Sequence, residues 1–302
     1  MSPPNDLGRL GYPPPEFDRL TFEFVLQILR SGGRVLYGGH IHEGSLALKM
    51  FEYLASAYGS GSVSAREQAT KPFLSLLAGS ELRKTRFEQL TSTLETCDTF
   101  VEMRIVIGDS GYYEAFTRFD RDSRNSLLNL RLNNGNLVQI SSQDELDSFV
   151  RESVKIDEAT ALTEMRKKSI RLSDARIVLG GRRGDLGVVN DLDRFAGSMP
   201  GIYEEVIQSL GKTSIVLLGA FGGAARDIAC DLEFIPAEDR VPFVGEKQDG
   251  VLNAREELMT VYSTLDDRVK DSLRLFANFA SRDDTSFLAR DVIRRLSSIP
   301  TV

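Results

Sequence analysis

Residues 161–206 read ALTEMRKKSIRLSDARIVLGGRRGDLGVVNDLDRFAGSMPGIYEEV, and the succession of patterns in them sets the fold class. The stretch 158–172 has helical periodicity. Residues 175–179, ARIVL, have the length and β-branched character of a buried strand, which ends in Gly180-Gly181. A loop over 182–199 follows, and Pro200 opens another helix. Further on, SIVLL at 214–218 predicts a strand running into Gly219-Ala220-Phe221-Gly222-Gly223 and a third helix. Towards the N-terminus, Leu20, Phe24 and Ile28 predict a helix from Phe17 that ends at Gly32-Gly33. Val35-Leu36-Tyr37 reads as a strand before Gly38-Gly39, and Leu46, Met50, Phe51 and Leu54 as the helix after it. Parallel strands need crossover connections, so strands alternating with helices predict an α/β, Rossmann-like parallel sheet flanked by helices.

The remaining chain is read by contrast with this pattern. Residues 1–16, with Pro13-Pro14-Pro15, predict an extended lead-in. Phe100 to Ile107 alternates like a strand. The polar stretch 108–150, with Asn133-Asn134-Gly135-Asn136 as a turn and a small hairpin, reads as an insertion. From 245 onward the stripes Leu258, Val261, Tyr262, Leu265 and Leu288, Val292, Leu296 predict helices only. The expected organisation is a nucleotide-binding domain over 1–244 and a C-terminal helical extension over 245–302 that serves packing or homo-oligomerisation.

Composition narrows the function classes. With 37 basic and 44 acidic side chains the net charge is −7, a field that repels nucleic acid, and the basic cluster Arg166-Lys167-Lys168 with Arg171 reads first as a solvated helix face. Two cysteines far apart and two histidines, His40 and His42, assemble none of the usual zinc spacings, so no metal and no cofactor is expected. No apolar run approaches the roughly 20 residues of a membrane span, and the prolines near the N-terminus replace the apolar core of a secretory signal. These features predict a cytoplasmic protein with reduced thiols and no membrane partner.

The glycine turns carry the chemistry. Gly38-Gly39, Gly180-Gly181 and Gly222-Gly223 each end a predicted strand and precede a helix. There backbone N–H groups and the helix dipole favour an anion, and the missing side chain lets a phosphate approach. Structural tight turns would use glycine in the same places. A Gly-Lys-Ser/Thr phosphate loop and the spaced glycines of a dinucleotide fingerprint are absent, which disfavours ATP hydrolysis and hydride transfer. Around the turns, His40 is read as a phosphate donor or a loop-surface histidine, and Arg166 as a phosphate clamp or an exposed cation. Arg182 and Arg183 are read as diphosphate clamps or solvated loop arginines. Arg226 opposes the dipole of the helix that it begins, which favours a ligand role. Glu205 has three readings: general acid or base, acceptor for ribose hydroxyls, or first-turn carboxylate. Tyr203 either stacks on a base or packs in the core.

Taken together, Arg166-Lys167 on a helix, Ile177-Val178-Leu179 on a strand, and Pro200-Gly201 followed by Glu205 resemble the SLOG superfamily. This Rossmann-like group contains cytokinin-activating phosphoribohydrolases, the DNA-processing protein of natural transformation, and sensors of NAD-derived nucleotides. Tyr37-Gly38-Gly39 is similar to the family's first turn, with Gly44-Ser45 near the next helix start. The enzymes hold both glycine elements in one compact turn, whereas here the 182–199 loop separates them, and Ile202 stands where they carry a phosphate-contacting threonine. Leu218-Gly219-Ala220-Phe221-Gly222-Gly223-Ala224-Ala225 is instead similar to the bacterial sensor-like branch, which is associated with antiviral signalling. That branch implies a first strand and a serine turn before the residues matched here. Since the chain opens at Ser2-Pro3-Pro4, either this start is internal to the gene product or the sheet lacks that strand.

The resemblance implies a site of Gly38, Gly39, His40, Gly44, Ser45, Arg166, Gly180, Gly181, Arg182, Pro200, Gly201, Ile202, Glu205, Gly222, Gly223 and Arg226. Its expected partner is a nucleotide-like small molecule, NAD-derived or similar to ADP-ribose, which is sensed rather than cleaved. The alternative is hydrolysis of a nucleotide N-glycosidic bond, with Glu205 catalytic.

Overall fold

The computed structural model describes residues 4–42, 44–59, 71–107, 111–120, 125–132 and 134–298. Ser2, Pro3 and Asn133, used in the sequence reading, lie outside them. The fold is α/β with a Rossmann-like layout and a helical C-terminal part. The chain forms two compact units, one from residues 32–169 and the other from the two ends, 1–31 and 170–302.

In the 32–169 unit, a helix at Leu46–Gly59 lies between β1 (Val35–Gly38) and β2 (Phe73–Ala78) in the chain, and a helix at Phe87–Cys97 lies between β2 and β3 (Val101–Ile107). All three strands are parallel, with Val35 opposite Phe73 and Phe73 opposite Val101. β4 (Gly111–Asp120), β5 (Asn125–Leu132) and β6 (Leu137–Ile140) extend the same sheet as antiparallel neighbours, so the six strands lie in sequence order. Residues 108–150 thus contribute strands to this sheet, and the Asn134-Gly135-Asn136 turn joins β5 to β6, with Gly135 at φ 91°. Every residue of β2 is buried, which explains a continuous apolar run in place of alternation. Leu74, Leu76, Ala78 and Val106 pack against Ala161, Leu162 and Met165 of the helix Glu158–Arg171. Cys97, at the end of the helix Phe87–Cys97, is buried, and burial pushes its thiol up to about 12.

The other unit begins with a short 3-10 turn at Leu7–Leu10 and the helix α1 (Pro14–Arg30). The lead-in is therefore shorter than expected. Pro14 and Pro15 occupy the first helical positions, where an N–H would have no intrahelical acceptor and its loss costs nothing. Phe17, Leu20, Phe24 and Val25 form the buried stripe of α1, which packs against the last helix, Thr285–Ser297. Numbered along the chain, the helices already given are α2 (Leu46–Gly59), α3 (Phe87–Cys97), α5 (Glu158–Arg171) and α10 (Thr285–Ser297), with α4 at Gln143–Ser153. β7 (Ala175–Leu179) and β8 (Ser214–Leu218) pair in parallel, and α6 (Gly201–Ser209) and α7 (Gly223–Asp231) follow them. α8 (Val251–Thr264) and α9 (Asp267–Arg274) complete the unit. Its core joins Val178, Tyr203, Val206, Ile215, Leu217, Ile228 and Leu258. Among the described residues no helix is long and apolar enough to cross a membrane.

Candidate functional site

The predicted turns fall at the carboxyl ends of parallel strands, the edge at which open α/β sheets bind ligands. Each unit carries its own set.

In the 32–169 unit, Gly38 and Gly39 end β1. A side chain on Gly39 would meet the Tyr37 ring at 2.5 Å, and one on Gly38 would meet Met165 at 3.2 Å. His40 follows, with Nδ1 2.7 Å from Oε2 of Glu81, a carboxylate buried in the 3-10 turn Gly79–Lys84 that ends β2. His42 stacks on His40 with ring centroids 5.5 Å apart. Burial pushes the Glu81 carboxyl up, but His40, Lys84 and His42 together outweigh it and hold the group below its ordinary range. Gly44, at φ 74°, faces open space, and Ser45 caps α2 by accepting from the Leu48 N–H at 3.3 Å. Arg166 sits on α5, partly exposed. Its neighbours Lys167 and Lys168 pair with Glu164 at 2.7 Å and lie over Tyr112 at 5.1 Å.

In the unit built from the chain ends, the Gly180-Gly181 and Gly222-Gly223 turns pack on each other and all four glycines are buried. A Cβ on Gly223 would lie 2.5 Å from the Gly180 carbonyl carbon, and the Ala224 and Ala225 N–H groups donate to the Gly181 and Gly180 carbonyls at 3.1 and 2.9 Å. The Gly223 N–H donates to the Asp6 carboxylate at 2.9 Å. A carboxylate from the N-terminal segment thus sits at the start of α7 and satisfies the dipole end there. Ile202, itself buried, fills the space beside Gly181.

Arg183 is buried and joins this centre. It holds Asp227 through Nε and Nη2 at 2.7 and 3.1 Å, and reaches Asp6 at 3.3 Å. Burial pushes both carboxyls up, against the pull of the Arg183 guanidinium. Of the two adjacent arginines, Arg182 is exposed and bonds the Arg194 carbonyl, while Arg183 is structural. Arg226 donates to the Asp239 and Gly219 carbonyls at 2.7 and 3.2 Å. Tyr203 is a core residue whose hydroxyl donates to Asp231 at 2.7 Å.

At α6, Pro200 is the N-cap and provides no side-chain cap, and Gly201 is partly exposed. Glu205 pairs with Arg176 of β7 at 2.5 Å. The 182–199 loop before it is ordered by two buried aspartates. Asp193 accepts from the Arg183 and Asp185 N–H groups at 3.1 and 2.9 Å. Asp185 accepts from Val244, Gly245 and Gly187 at 2.6, 2.9 and 3.0 Å. Burial would raise the Asp185 carboxyl, but these three donors hold it below its ordinary range. A depressed folded value means stability that is present above the unfolded pKa of about 3.9 and is lost as pH falls through the folded one. Asp185→Asn is expected to cost about 1.5–3 kcal/mol at pH 7, because an amide NH2 faces backbone donors. Urea unfolding of both proteins should show this gap narrowing below about pH 4.

Glu81, Asp6, Asp185, Asp193 and Asp227 are the residues that the sequence reading did not single out. The aspartates bracketing a glycine-rich loop were the available signal for the loop; Glu81 had none.

No curated protein matches the chain, and no solved structure does. The family model described as SLOG cluster2 matches residues 1–111 and 113–289. That family ties the chain to nucleotide-related binding or processing, and over nearly its whole length the chain belongs to the SLOG cluster2 family.

Proposed function

We propose that the protein binds a phosphate-bearing, nucleotide-derived ligand, NAD-derived or similar to ADP-ribose, and senses it rather than cleaving it. The observation that carries this reading is the start of α6. The opening amides of α7 are consumed by Asp6, Gly180 and Gly181, whereas α6 begins at Pro200-Gly201 with no side-chain cap and a partly exposed glycine. The phosphate goes to α6, whose amides and dipole suit it. One turn on, Glu205 is already in an ion pair with Arg176, an arrangement that suits an acceptor for ribose hydroxyls. Occupancy passes to the helical C-terminal part. Leu252 and Met259, exposed and seven residues apart on α8, support contact with a second copy there. A role in antiviral signalling is in keeping with this reading.

Glu205→Gln tests it. The variant should bind ADP-ribose roughly ten- to a hundredfold more weakly by calorimetry, the worth of a charge-assisted hydrogen bond. Wild type should release no base from NAD, ADP-ribose or nucleoside monophosphates. Base release that depends on Glu205 would establish the hydrolase instead.

A further inference from the structure

A second site lies within the unit built from the chain ends. A cavity of about 220 Å³ is lined by Tyr203, Asp227, Arg240, Phe243, Lys247 and Arg255, among others. Its lining carries Arg240, Lys247 and Arg255 against the single carboxylate of Asp227, with Asp231 just behind the two arginines. Asp231 accepts from Arg240 Nη2 at 2.6 Å and from Arg255 Nη2 and Nε at 2.7 and 3.0 Å. Asp227 serves Arg183 at 2.7 Å and Arg240 at 3.5 Å. Three carboxylates, Asp6, Asp227 and Asp231, thus match the three guanidiniums of Arg183, Arg240 and Arg255, and Lys247 is the cation of the lining left over.

Lys247 adds a further charge. It is exposed, its ammonium lies 5.1 Å from the Phe243 ring centroid, and among the described residues no carboxylate comes within 4.0 Å of it. The opposite requirement, a negative group, is unmet on the neighbouring helix too. α8 begins at the cavity with Val251, has no acidic residue in its first turn, and receives no side-chain cap from Gly250. An unmatched ammonium and the uncapped start of a helix at one small cavity match a compact oxyanion. The volume falls below the roughly 300–1,000 Å³ of sites that enclose a whole drug-sized ligand.

We infer that this cavity binds a phosphoryl anion, either free phosphate or pyrophosphate, or the terminal phosphate of a nucleotide whose remainder stays outside. Lys247 is the residue that contacts it without also holding the fold. Its lining includes Tyr203 of α6 but none of Pro200, Gly201 and Glu205.

The test reads Lys247 directly. Full-length protein is acetylated at limiting reagent in matched ionic strength, and the rate at each lysine is followed by mass spectrometry with phosphate, pyrophosphate, ADP or adenosine present. At ten times its dissociation constant, a bound anion should slow Lys247 about tenfold while Lys71 and Lys270 keep their rates. Protection by pyrophosphate marks a free anion as sufficient; protection by ADP alone marks the nucleotide as the source. Adenosine should protect nothing. If phosphate, pyrophosphate and ADP all leave Lys247 at its free rate, or adenosine protects it as well as ADP does, the inference is wrong. Glu205→Gln should lose ADP-ribose affinity yet keep Lys247 protection, so failure at either site is distinguishable from failure at the other.

Discussion

Arg183→Met is expected to destabilise the protein by about 3–5 kcal/mol, because it leaves two buried carboxylates, Asp6 and Asp227, without their shared cation. Methionine fits the hydrocarbon part of the arginine, so the loss is electrostatic rather than a packing void. The pH dependence distinguishes the two causes. A carboxyl whose folded pKa is raised holds its proton longer in the native state than in the unfolded chain. Stability therefore falls as pH climbs from about 3.9 to the folded value. Burial already pushes Asp6 and Asp227 in that direction with Arg183 present. Without it the rise is larger, so urea unfolding should show the variant gaining on wild type as the pH is lowered from 7 to 5. A deficit that stays constant over that range would mean that packing, not charge, is lost.

Gly223→Ala should be worse. The residue has φ 69°, and its Cβ would press on backbone atoms of Gly180 and Gly181 at 2.5 and 2.6 Å, where nothing flexible can yield. A loss above about 4 kcal/mol is expected, in the range that marks strain in a packed core. Gly211→Ala is the matched control. It has a similar φ of 73°, but its Cβ would meet only Leu265, at 3.7 Å, so it should lose no more than the left-handed penalty of about 1–2 kcal/mol. Equal melting temperatures for the two variants would mean that the contact between the turns carries no weight.

The strands at 35–38, 175–179 and 214–218 could be read from the chain because each is a short apolar run cut off by glycine, a local signal. β2 could not: FLSLLA is buried at every residue and runs through a single Gly79 into the polar 3-10 turn Gly79–Lys84 rather than into a glycine pair and an amphipathic helix. The site was harder still. Glycine pairs announced where strands end, but not which helix start stays open, since Asp6 reaches Gly223 across 217 residues. Glu81, paired with His40 from a turn 41 residues on, was equally out of reach of local pattern. Arg183 and Arg182 look alike in sequence, yet only one meets an aspartate on a distant helix.

A unit assembled from both ends of a chain also has a consequence for biosynthesis. Residues 32–169 leave the ribosome together, and their sheet can close while translation continues. The first helix cannot share in this. Phe17, Leu20 and Phe24 belong against a helix that begins at Thr285, and Asp6 lacks its partners until Arg183 and Gly223 have emerged. At some 5–20 residues per second, that leaves a bare apolar stripe for tens of seconds. During that interval the nascent N-terminus is a natural client for a chaperone, and slowing elongation past residue 170 should lengthen its stay there.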